Sequence, residues 1–105
     1  MNRLEIIKNA LLGVSDNVYR YTAGNNPKTP FVVWAEDSEN PFVVNGRHEE
    51  AAQQGTVDLY TKNEADPLRE SIPAALNGCE CCWYKNSTQY EEETGLIHDE
   101  WVFEV

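Results

Sequence analysis

Gly55-Thr56-Val57-Asp58-Leu59-Tyr60-Thr61 alternates two sets of residues with a period of two, Val57, Leu59 and Thr61 against Thr56, Asp58 and Tyr60. That period belongs to a strand with one buried face. Downstream, Asn63-Glu64-Ala65-Asp66-Pro67 opens a second kind of element. Asp66 is placed to cap a helix, and Pro67 stands at its first position, where a missing N–H costs nothing. Leu68, Ile72, Ala75 and Leu76 then form a helical stripe that ends at Asn77-Gly78. Pro73 lies inside this stripe and predicts a kinked or divided helix. Gly55 predicts a bulge at the start of the strand.

Toward the N-terminus, Leu4, Ile7, Leu11 and Val14 mark one face of a helix over 2–12, with Gly13 at its end. Asn17–Ala23 is rich in β-formers and stops at the turn residues Gly24-Asn25-Asn26-Pro27. Phe31-Val32-Val33-Trp34 is a short apolar run, which predicts a buried strand followed by a wet loop from Glu36. That loop, 36–47, contains the turn signals Asn40-Pro41 and Asn45-Gly46 around Phe42-Val43-Val44. It is long for a compact domain, which predicts a functional surface. The last third reads as a meander: strands near 79–85 and 87–92, a turn at Glu93-Thr94-Gly95, and a final strand over 96–105. In the final strand Ile97, Asp99, Trp101, Phe103 and Val105 share one face, and His98, Glu100, Val102 and Glu104 share the other. The order is helix, strands, helix, strands.

The chain has 105 residues, enough for one domain, 1–105, with one modest core. Eight Lys and Arg face 18 Asp and Glu, for a formal charge of −10. Five cations against seven acids in 1–52 and three against eleven in 53–105 place most of this charge, −8, in the second half. The cations are scattered, so direct binding to a phosphate backbone is not expected. No apolar run approaches the about 18 residues of a membrane helix. Met1-Asn2-Arg3-Leu4-Glu5 has acid and amide side chains where a secretory signal is apolar, which predicts an intracellular protein.

The reactive residues do not assemble into a catalytic signature. Cys79, Cys81 and Cys82 are crowded together without the second ligand pair of a structural zinc site, and packing is the expected role. His48 and His98 lack a nucleophile frame such as Gly-x-Ser-x-Gly, and there is no phosphate-cradling glycine loop. His98, beside Asp99 and Glu100, reads as a satisfied surface histidine whose pH dependence still matters. Glu91-Glu92-Glu93 reads as a solvated hairpin tip. Asp58 interrupts Val57-x-Leu59 and is read either as the polar face of its strand or as a residue meeting an interface or a cation. No enzyme activity, cofactor or metal site is expected.

The pieces Gly55–Thr61, Asp66-Pro67-Leu68 through Ala75-Leu76, Trp83, and Tyr90-Glu91-Glu92-Glu93-Thr94-Gly95-Leu96-Ile97-His98-Asp99-Glu100-Trp101-Val102-Phe103-Glu104-Val105 resemble small proteins of phage and prophage tail modules. The chain resembles a tail terminator, or tail completion (tail-to-head joining) protein, of the lambda type. The resemblance covers nearly all of the chain, and the three cysteines and the acidic second half depart from it. It implies an α+β fold, a mixed and mainly antiparallel β-sheet with two α-helices packed on one face. It also implies a ring, usually a hexamer of copies of itself, that caps the head-proximal end of the tail tube, stops tube growth and docks the head. The implied partners are the major tail tube protein and a head-completion or connector protein. The implied location is the virion tail, and the host cytoplasm during assembly. Trp34, Phe42 and Tyr60 are aromatic candidates for such contacts, each weighed against a place in the core. Glu36 and Asp37 in the long loop, and Asp58, are the polar ones. From a different class, a small acidic inhibitor imitating nucleic acid is the alternative, and it requires carboxylates arranged on one face.

Overall fold

The computed structural model describes residues 3–39 and 53–105. Helix α1 spans Leu4–Leu12, and strands β1 (Val18–Arg20), β2 (Phe31–Glu39) and β3 (Gln53–Thr61) follow. Helix α2 spans Leu68–Asn77, and the chain closes with β4 (Cys82–Glu91) and β5 (Leu96–Glu104). The strands form one sheet in the order β1-β2-β3-β5-β4. β1 runs parallel to β2, and the remaining neighbours are antiparallel. This is an α+β fold with a mixed, mainly antiparallel sheet.

The alternation read in β3 sets the layers. Val57, Leu59 and Thr61 point to the buried side, as do Val32 and Trp34 of β2 and Trp101 and Phe103 of β5. Leu4, Ile7 and Leu11 of α1 and Ile72 and Leu76 of α2 close over them. Both helices thus cover one face, and the opposite face carries no helix among the described residues. Asp66 caps α2 as its position predicts: its Oδ1 accepts from the Leu68 N–H at 2.9 Å, and its Oδ2 accepts from the Thr61 hydroxyl at 2.7 Å. The second bond fixes the helix start to the end of β3.

Several expectations are corrected. α2 continues through Pro73 as one element. The proline forfeits a single bond to the Arg69 carbonyl, while burial of Ile72 and Leu76 on either side of it holds the helix together. β2 extends to Glu39, so Glu36 and Asp37 belong to a strand, because β3 supplies pairing partners from Gly55 to Gln53. The irregularity in this pair falls between Glu36 and Ser38, on the strand opposite Gly55. The two strands read at 79–85 and 87–92 are one, β4, whose register shift between Lys85 and Ser87 absorbs an extra residue. Cys79 and Cys81 precede β4, packed at the end of α2. Phe42, with most of the 36–47 loop, lies outside the described residues.

Candidate functional site

Two features of this sheet offer themselves to a partner: its edges and its helix-free face. The order of strands leaves β1 at one edge and β4 at the other. Tyr21, directly after β1, is 62% exposed, and Tyr84 and Tyr90 of β4 are 56% and 65% exposed. Strand edges that have no partner among the described residues and carry exposed tyrosines are suited to backbone pairing anchored by aromatic contacts. At the β1 edge, Arg20 lies over the rings of Tyr21 and Trp34, 5.1 and 4.8 Å from their centroids, and pairs with Glu36. The neighbouring Tyr21 phenol, with Arg20 adding to it, holds the Glu36 carboxyl below its ordinary range against the opposing pull of burial. The nearness of Glu36 in turn pushes the Tyr21 phenol up.

On the helix-free face, the β3–β5 register pairs Asp58 with Glu100 and Tyr60 with His98. Asp58, His98 and Glu100 therefore converge, and their ligand atoms lie within 4.8 Å of one another. His98 Nε2 is 2.6 Å from Asp58 Oδ1, the Thr56 hydroxyl donates to Asp58 Oδ2 at 3.1 Å, and Asn86 Nδ2 donates to Glu100 Oε1 at 2.7 Å. The imidazole stacks on Tyr60 at 4.3 Å, and Tyr60 stacks on Phe31 at 4.8 Å, so the ring is held in place. The bond to Asp58 raises the His98 pKa despite burial, with Glu100 and Glu91 reinforcing it. Burial first, and then Asp58, Glu91 and Glu100, push the Tyr60 phenol up as well.

The buried side holds a separate ionic network. Asp99 is fully buried, and accepts from Arg69 Nε at 2.7 Å, Arg69 Nη2 at 3.2 Å and the Thr88 hydroxyl at 2.6 Å, with Lys85 Nζ at 3.0 Å. Burial opposes its charge, but these donors prevail and hold its carboxyl below the ordinary range. Its place on the apolar face of β5 was the sequence signal, because a carboxylate there requires a cationic partner. Cys79 and Cys81 sit with sulfurs 3.2 Å apart, and both donate to the Leu76 carbonyl at the end of α2. Burial, then Cys79, pushes the Cys81 thiol up to about 12, which leaves it protonated and unreactive near neutrality.

The sequence candidates are thus dispersed. Trp34 is 3% exposed and part of the core. Tyr60 and Asp58 belong to the helix-free face, Glu36 to the β1 edge, and Asp37 is exposed in β2. The structure brings Asp58 together with His98 and Glu100, which the sequence reading took one at a time, and it adds Tyr21, Tyr84 and Tyr90 as surface aromatics. No protein-family model and no curated protein matches the chain.

Proposed function

We propose that this chain is a structural phage or prophage tail protein of the tail-terminator type, whose copies form a ring on the head-proximal end of the tail tube, stop its growth and dock the head. One observation carries the reading: among the described residues the sheet ends in two unlike edges without a further strand, each with exposed tyrosine, Tyr21 at β1 and Tyr84 and Tyr90 at β4. Unlike edges favour head-to-tail association, which closes into a ring when the rotation between neighbours allows. The mixed sheet with helices on one face is also the architecture that the resemblance to tail terminators implies. The acidic-inhibitor reading has less support. It needs carboxylates displayed on one surface, whereas Asp99 is engaged by Arg69 and Lys85 inside the fold and Glu36 by Arg20 at an edge.

Electron microscopy of particles assembled without this protein tests the reading. Tail tubes of uncontrolled length, or tails that do not join heads, are expected. Normal, head-joined tails of uniform length would reject it.

A further inference from the structure

We propose that Asp58, His98 and Glu100 form a binding site for one divalent first-row transition-metal ion on the helix-free face of the sheet. The donors come from adjacent strands, with Asp58 directly opposite Glu100 and His98 two residues before Glu100 on the same face. β3 and β5 are paired on both sides, so the ligands stand on the least deformable part of the sheet. The ring of His98 is oriented by the Tyr60–Phe31 stack, and each carboxylate has a neutral donor on one oxygen, Thr56 for Asp58 and Asn86 for Glu100. Such outer partners orient ligands without satisfying their charge.

Charge balance supplies an independent reason. Asp99, inside the fold, has Arg69 and Lys85 beside it and Glu36, at the β1 edge, has Arg20, while the buried Asp66 stands as a single carboxylate met by the Thr61 hydroxyl and the Leu68 N–H. Among the described residues no lysine or arginine pairs with Asp58 or Glu100, so two carboxylates share one imidazole. A dication neutralises both and takes the place of the proton between His98 and Asp58. Two ligands each about 2.1 Å from a tetrahedral zinc stand roughly 3.4 Å apart. The 2.6 Å contact between His98 Nε2 and Asp58 Oδ1 therefore opens by less than an ångström, while Glu100 closes in. One imidazole nitrogen with two carboxylate oxygens suits zinc, cobalt or manganese better than calcium or magnesium, which favour all-oxygen shells. Water completes the shell from the solvent side.

Calorimetric titration of the metal-stripped full chain with zinc chloride tests this, with the same titration on His98→Gln, Glu100→Gln and a Cys79→Ser/Cys81→Ser/Cys82→Ser variant. One zinc per chain is expected, retained in the cysteine variant and weakened about 100-fold or more in the other two. Nitrogen-15 NMR of the histidine side chains of the unaltered protein gives a reading that needs no variant to fold: zinc is expected to shift His98 Nε2. Absence of binding, binding unaffected by Glu100→Gln, binding lost in a folded cysteine variant, or a His98 nitrogen that ignores zinc would each overturn the proposal.

Discussion

Gly55 occupies a position where a side chain has no room. A Cβ there would lie 2.2 Å from the Ala35 carbonyl oxygen, 2.6 Å from the Phe103 ring and 2.8 Å from the Glu36 Cα. Two of these three neighbours are backbone, so β2 would have to move. Gly55→Ala is expected to destabilise the fold by about 2–3 kcal/mol, read from denaturant unfolding. Asp99 is sensitive for the opposite reason, because its surroundings are built for a charge. Asp99→Ala leaves Arg69 and Lys85 without their shared acceptor and is expected to cost about 3 kcal/mol by the same measurement. Glu36 gives a pH signature. Its folded pKa is depressed, so its clasp with Tyr21 and Arg20 contributes stability above the ordinary carboxylate range, and that contribution is lost as pH falls through the depressed value. A carbon-13 NMR titration of the Glu36 carboxyl should therefore give a midpoint below 4.5 in the folded protein, with Tyr21 ring shifts following it. A midpoint at or above that value contradicts the clasp.

The elements differ in how much of their stability is local. α2 begins on a bond from Leu68 N–H to Asp66, which is in turn held by Thr61, so Asp66→Ala loses a cap and a tie to β3 together. An effect of about 1–2 kcal/mol on unfolding is expected, larger than that of an exposed first-turn change such as Glu70→Ala. The alternation in β3 and β5 was legible in the sequence because it reports burial of one face directly, and the helical stripes were legible for the same reason. What the sequence concealed depended on a partner strand. Glu36–Glu39 reads as a wet loop by composition but pairs because β3 lies beside it, and β4 reads as two strands because the shift at Lys85/Ser87 breaks its period. Cys79–Cys81 reads as strand because a short apolar run does not distinguish a strand from a packed turn. The Asp58–His98–Glu100 cluster was hidden by distance along the chain: each residue is unremarkable alone, and only the β3–β5 register brings them together.

For the molecule as a whole, assembly and charge oppose each other. Each chain carries −10, and copies brought edge to edge repel wherever their acids come close. Salt weakens that repulsion, since the screening length falls from about 10 Å at 0.1 M to about 3 Å at 1 M, while contacts between tyrosines and strand backbones are little affected. The proposed ring therefore predicts a monomer in dilute, low-salt solution and larger species as salt rises, followed by sedimentation velocity. Tyr84→Lys with Tyr90→Lys should hold the chain monomeric at every salt concentration. The helix-side core should remain intact in that variant, because both tyrosines are largely solvent-exposed, and its unfolding midpoint should stay close to that of the unaltered protein. A stable ring already present at low salt contradicts the opposing role of charge. Salt-driven assembly that persists in the double variant removes β4 from the contact, and with it the unlike-edge geometry on which ring closure was argued.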